Sequence, residues 1–131
     1  HMENNKLTEV PANTTYNLNL IEPAGDISMT LPDYIKFLQL NLNGLIGKDN
    51  IIKATTYDFL HYGIKNYAIG WANTIKDGQK QSDHAGSAGT FFCYALFDGI
   101  KNKAYVIIVN SGTAKAQNGA FSVLKLLREE Y

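Results

Sequence analysis

Three stretches of the chain place apolar residues at the spacing of an amphipathic helix. The first begins after Thr30, which can cap a helix N-terminus, because Asp33 follows three positions later and Pro32 fits the first turn. Gly44 predicts the end of this helix. A shorter helix is predicted over 55–61, and a third covers the C-terminal residues. In the first helix the apolar stripe consists of Tyr34, Phe37, Leu38 and Leu42, and Ile35 and Leu45 widen it. In the C-terminal helix it consists of Phe121, Leu124 and Leu127, with Val123 beside them.

Apolar runs outside these helices predict β-strands. They lie at 67–75, 90–97 and 105–109, and Gly70 marks a bulge or a close approach within the first. The last run is apolar on both faces, which predicts a central strand. The polar stretch at 76–83 predicts a loop. Near the N-terminus, Tyr16, Leu18 and Leu20 alternate with asparagines as in a short strand, and 22–26 predict a turn.

This order of elements predicts an α+β fold, an antiparallel β-sheet meander with flanking helices. No βαβ alternation and no repeat of fixed period is present in the sequence. With 131 residues, the chain has the size of one domain. His1 and Met2 resemble the remnant of an expression tag, so the predicted single domain covers 3–131, with 3–15 as a polar tail or extended segment.

Composition narrows the classes of function. Hydrophobic residues make up 45% and charged residues 18%, which is typical of a folded domain. Twelve basic and twelve acidic residues give a net charge of zero, so no electrostatic case for a nucleic-acid partner follows. No apolar run is long enough to span a bilayer. The single cysteine, Cys93, cannot form an intramolecular disulfide and is predicted to be a buried thiol, and the histidines lack the spacing of a metal site. No cofactor is predicted.

The segment 82–91, Ser-Asp-His-Ala-Gly-Ser-Ala-Gly-Thr-Phe, is the strongest chemical signal in the sequence. A histidine and several small residues at the mouth of a strand would let a ligand approach the backbone closely. On local sequence alone, a surface or capped residue is the preferred interpretation of His84. The glycines do not form a phosphate loop, because a strand and not a helix follows them.

This segment resembles the third conserved motif of the serine β-lactamase and penicillin-binding-protein-like family, which is Lys-Thr-Gly in many members and His-x-Gly in others. Three further segments match that family in the same order. The first is 23–28, which continues into 33–38. The second is the Tyr-Ala-Ile-Gly-Trp of 67–71, which is similar to a Tyr-Gly-Leu-Gly-Trp strand of the family. The third is 105–110, which is similar to a central strand that ends in Asn. The final helix also fits, so the resemblance covers the chain from about Pro23 onward and implies the C-terminal part of the β-lactamase/D,D-peptidase fold.

The resemblance implies a serine hydrolase that forms an acyl-enzyme with a β-lactam, peptide or ester. In such enzymes the serine of a Ser-x-x-Lys motif attacks a carbonyl, and the lysine and a Tyr-x-Asn tyrosine manage the proton. By position, His84 replaces the lysine of the third motif, Gly86 permits close substrate approach, and the backbone N–H of Ser87 is one oxyanion donor. Asn110 is placed near the carboxylate end of the substrate. Ala85 departs from the family pattern, in which a Thr or Ser often binds that carboxylate, and this puts classical β-lactam binding in doubt.

The nucleophile motif has no counterpart at the expected place in this sequence. One Ser-x-x-Lys occurs at Ser122 to Lys125, but it lies in the predicted C-terminal helix, where the family has no catalytic residue. The expectation is therefore the C-terminal part of a hydrolase that is inactive alone, and the resemblance suggests a periplasmic or secreted parent. The alternative is a non-catalytic, degenerate module that binds a cell-wall-like peptide or a protein partner. A fragment would expose a sheet edge, which predicts a homodimer.

Overall fold

A four-stranded antiparallel sheet with three flanking helices makes up most of the described chain, and this confirms the predicted α+β class. The computed structural model describes residues 2–3, 6–7, 22–25, 27–87 and 90–131. In chain order the elements are β1 (Met2–Glu3), β2 (Lys6–Leu7), α1 (Glu22–Gly25), α2 (Leu31–Leu45), α3 (Ala54–Tyr62), β3 (Ala72–Lys76), β4 (Gln79–Ser87), β5 (Phe92–Asp98), β6 (Lys103–Val109) and α4 (Ala114–Glu130). The strand predicted around Tyr16 to Leu20 lies outside the described residues, and the turn predicted from residue 22 begins with the one-turn helix α1.

The prediction of a loop at 76–83 is wrong, because these residues form most of a β-hairpin. Asp77 and Gly78 have positive φ angles of 52° and 77°, which suit the two-residue turns that join twisted antiparallel strands. β3 and β4 pair on either side, from Ala72 opposite Asp83 to Lys76 opposite Gln79. The first predicted strand is also displaced. It begins at Ala72, and Gly70 lies before it in a turn.

The strand order is β3-β4-β5-β6, so β6 lies at an edge of the described sheet and the prediction that it is central is wrong. Its pattern misled because apolar side chains line both faces of the strand but are not buried along its whole length. Tyr105 is buried, whereas Ile108 is 51% exposed. An apolar edge strand is a site where a further strand can add. The predicted self-association depends on this feature.

The described residues fall into two compact units. Along the chain, divisions between them fall within strands β4, β5 and β6. The second unit comprises Ser28–His84 and Ala95–Val106. Its core is formed by Leu38, Trp71, Ala95 and Phe97, with half-buried apolar residues of α2 and β6 against them. The first unit comprises His1–Ile27, Ala85–Tyr94 and Ile107–Tyr131. There the ring of Phe121 on α4 meets Phe92 and Tyr94 edge-on, at centroid distances of 5.8 and 5.0 Å.

Helix α2 begins where the sequence predicts and ends later. The Thr30 hydroxyl accepts a hydrogen bond from the Asp33 backbone N–H at 3.4 Å and donates one to the Asp33 carboxylate at 2.7 Å, so the N-terminal cap is confirmed. Gly44 does not end the helix. It is buried inside the last turn, and Gly47, with a φ of +87°, follows the end.

Candidate functional site

His84 lies on β4, and its ring is held by two residues that precede β3. Its Nδ1 is 2.7 Å from the carbonyl oxygen of Gly70. A carbonyl oxygen only accepts, so Nδ1 carries the proton, and in the neutral ring Nε2 holds the lone pair. The edge of the Trp71 indole meets the same imidazole at a centroid distance of 5.9 Å and an interplanar angle of 70°. The tautomer and the plane of His84 are therefore both fixed.

The turn before β3 explains why Gly70 can supply that carbonyl. Gly70 has a φ of +82°, a conformation that residues with a side chain rarely adopt. The Ala68 backbone N–H donates to the Trp71 carbonyl at 2.8 Å, and the Gly70 N–H donates to the Ala68 carbonyl at 3.0 Å. This tight turn fixes both the Gly70 carbonyl and the start of β3, and Trp71 beside it is buried in the core.

His84 belongs to the strand that ends at Ser87, and its prediction at the mouth of the strand that follows is wrong. Exposure alternates at the end of β4, with His84 and Gly86 half-buried and Ala85 and Ser87 exposed. A Cβ built on Gly86 would meet none of the described atoms within 4 Å, so the described part of the chain leaves open space over its Cα. The backbone approach that the sequence predicts at Gly86 is therefore sterically possible.

The remaining predicted site residues lie in the first unit, whereas His84 and its two ring partners lie in the second. The Ser87 hydroxyl, at the end of β4, donates to the carbonyl of Phe91, the residue before β5, at 2.8 Å. Ala85 is exposed on β4, and Asn110 is exposed directly after β6. Cys93 on β5 is half-buried, not fully buried as predicted.

A hydrogen-bonded chain beneath Trp71 was not predicted from the sequence. His61 Nδ1 is 2.7 Å from the Ser82 hydroxyl, and its Nε2 is 3.0 Å from the Asn41 Oδ1. The Asn41 amide donates to the Phe37 carbonyl at 2.8 Å, so its Oδ1 is the acceptor and His61 Nε2 must be the donor. Ser82 then donates to Nδ1. These three residues come from α2, α3 and β4, and no local pattern in the sequence links them.

This Ser-His-Asn arrangement resembles a nucleophilic triad but is structural. His61 and Ser82 are completely buried, so no substrate can reach the hydroxyl. Burial lowers the pKa of His61 to about 4, against the raising effect of the nearby Asp58 charge, and the ring is neutral at pH 7. The imidazole stacks on Trp71 at a centroid distance of 4.4 Å. The polar chain therefore supports the tryptophan whose edge contacts His84.

The Ser-x-x-Lys of α4 is likewise committed to the helix. The Ser122 hydroxyl donates to the Asn118 carbonyl one turn back, at 3.0 Å. Lys125 lies 3.8 Å from the Glu129 carboxylate on the same helix. Both side chains thus have local partners, and nothing in the described structure assigns them a joint role.

Among the described residues, no group of three His, Cys, Asp or Glu side chains is arranged to hold a metal ion. None of the described helices has both the length and the apolar character needed to cross a membrane. Comparison of the chain with protein-family models, curated proteins and solved structures finds no match.

Proposed function

We propose that this chain forms one wall of the acyl-binding cleft of a serine hydrolase related to the β-lactamases and penicillin-binding proteins. In this proposal the segment from His84 to Ser87 lines the cleft. The Ser-x-x-Lys and Tyr-x-Asn groups are supplied by a segment that this sequence does not contain. The substrate is a peptide, an ester or a β-lactam, whose carbonyl carbon the serine attacks.

One observation carries the proposal. Two motifs that match the family separately along the chain, Tyr67 to Trp71 and His84 to Gly86, meet at a single side chain. Gly70 supplies the hydrogen-bond acceptor and Trp71 the ring edge for His84. A surface histidine with no role would not require a positive-φ glycine and a buried tryptophan to fix its tautomer. Pre-oriented groups of this kind are typical of sites in which a side chain must meet a reacting atom.

The chemistry assigned to His84 follows from its tautomer. With the Nδ1 proton donated to Gly70, Nε2 can accept a hydrogen bond from the hydroxyl or ammonium group that moves protons in the cleft. If the ring is protonated, Nε2 donates instead and supplies the positive charge of the lysine that it replaces. In either state the Nδ1 proton can stay on the Gly70 carbonyl, so the change of role falls on Nε2.

In this proposal, Gly86 is the position at which the substrate comes close to the backbone of β4. The space over its Cα would admit the main chain of a peptide or the body of an ester against β4. Ala85, exposed on the same strand, offers no hydroxyl for a substrate carboxylate. The proposal therefore favours esters and peptides over β-lactams, which depend more on that contact.

Titration of the isotope-labelled chain with the methyl ester of N-acetyl-D-alanyl-D-alanine, a peptide that carries no free carboxylate, tests the binding wall by NMR. We expect amide shifts at residues 84–87 and at Gly70 and Trp71. Gly86→Ala should weaken binding by roughly tenfold or more, because the methyl fills the approach space. Its stability should be kept, since the new Cβ meets no protein atom.

Gly119→Ala is the matched control for this titration. Its added methyl also meets open space, but on α4, and the variant should bind as the parent chain does. Equal binding by Gly86→Ala and the parent chain would show that Gly86 does not contact the ligand. Shifts confined to strands other than β4 would show that the segment from His84 to Ser87 does not line the binding site. Binding to this wall in a parent protein that shows no turnover would favour the non-catalytic module.

A further inference from the structure

A cavity of about 150 Å³ lies in the second unit, at the end of β4 opposite to His84. Its apolar floor consists of Leu42 and Leu45 from the end of α2 and Phe97 from β5. The turn between β3 and β4 contributes Gly78, and the turn between β5 and β6 contributes Gly99 and Asn102. A cavity of this size has room for one benzene ring.

The polar side of the cavity is formed by Tyr62 and Lys80. The Lys80 ammonium lies 4.9 Å from the centroid of the Tyr62 ring and 2.5 Å from the Asp58 carboxylate. The Lys80 and Asp58 side chains are 42% and 53% exposed. An ion pair as exposed as this contributes little to stability, so Lys80 can exchange Asp58 for another anion at small cost.

The other charged group of the lining, Asp98, is satisfied inside its own turn. Its Oδ1 accepts the backbone N–H groups of Ile100 and Lys101, at 3.0 and 3.3 Å, and the residue is 1% exposed. Its charge is therefore stabilised by local donors and is not presented to a ligand. Lys80 is the exposed charged group among the residues that line the cavity.

We propose that this cavity binds a small monocarboxylate with an apolar body about the size of one six-membered ring. The body lies against Leu42, Leu45 and Phe97, and the carboxylate takes the place of Asp58 on Lys80. The Tyr62 ring, which lies beside the Lys80 ammonium, completes the polar side of the site.

The site is independent of the function proposed above. Lys80 and His84 are four residues apart on one strand, which corresponds to roughly 13 Å. None of the cavity residues belongs to the motifs that carry the family resemblance in β4 or before β3. A ligand here could bind whether or not the other end of β4 lines a catalytic cleft.

NMR titration with benzoate, with benzamide as the neutral analogue of the same shape, tests this assignment on the full chain. We expect saturable amide shifts at Gly78, Lys80, Gly99 and Asn102 with benzoate in the millimolar range. Benzamide should bind at least about tenfold more weakly, because it lacks the charge that Lys80 recognises. Lys80→Met keeps the apolar stem and should weaken benzoate binding to the level of benzamide.

Two further variants keep the test decisive. Lys76→Met removes an exposed charge beside the same turn but outside the lining, and benzoate should bind it as tightly as the parent chain. Asp58→Asn removes the internal competitor for Lys80, and the affinity for benzoate should rise by about threefold. Equal binding of benzoate and benzamide, an unchanged affinity in Asp58→Asn, or no shift at the lining amides would each overturn the assignment.

Discussion

Gly44→Ala is expected to lower the free energy of unfolding by about 3 kcal/mol, because a Cβ at this position overlaps the ring of Tyr57. The glycine lets α2 and α3 approach closely. Tyr57 cannot easily turn away, since it is buried and its hydroxyl donates to the Asn50 side chain at 2.5 Å. The helices must therefore separate to admit one methyl group. Urea unfolding followed by circular dichroism measures the change.

Gly119→Ala provides the control for this effect. It adds the same methyl inside a helix, but in open space, so helix propensity alone should act and stabilise the chain by up to about 1 kcal/mol. The two substitutions should thus have opposite signs. A Gly44→Ala chain as stable as the Gly119→Ala chain would mean that α2 and α3 do not pack at this point.

Acid is expected to remove about 3 kcal/mol of stability as the pH falls from 6.5 to 4, through His61 alone. The folded pKa of His61 is lowered to about 4 from the ordinary 6.5, chiefly by burial. Between these values the unfolded chain takes up a proton that the folded chain excludes. The contribution is fully present above the unfolded pKa and is lost as the pH falls through this window. Trp71, which stacks on His61 and is the single tryptophan, reports unfolding in urea.

His61→Gln separates this residue from the carboxylates that also titrate in acid. The variant removes the titrating ring, so its stability should fall less steeply over the same pH window, by about 3 kcal/mol. Its stability at neutral pH should already be lower, because Ser82 and Asn41 lose the geometry of their imidazole partner. The same pH dependence in the variant and in the parent chain would show that His61 is not the buried group described above.

The fold class and the helices were predictable because their signals are local. Apolar spacing and the Thr30 cap place α2, and the antiparallel architecture follows from the order of the elements. β4 was missed because its buried position is occupied by Ser82, which pairs with a histidine, so the strand shows no apolar alternation. The Asp77-Gly78 turn signal was present, but no apolar run followed it. The place of β6 depends on strand pairing, which its own residues do not encode.

The candidate site was predictable only in part. The small residues around His84 mark the segment, and the resemblance assigns its roles. The Gly70 carbonyl that orients His84 required a turn conformation, which a single glycine inside an apparent strand does not reveal. The buried chain of Asn41, His61 and Ser82 joins three elements, and each of its members taken alone resembles an ordinary polar residue.

Fluorophosphonate labelling and ester turnover of the gene product that contains this chain test the proposed function most directly. We predict a label on a serine of a Ser-x-x-Lys motif upstream of Pro23. His84→Ala should lower the rate of ester hydrolysis by about a hundredfold, with the far-ultraviolet circular dichroism spectrum unchanged if the fold is kept. Ser122→Ala should leave both the label and the rate unchanged. A gene product without a labelled serine, a label on Ser122, or equal turnover in His84→Ala would contradict the proposal.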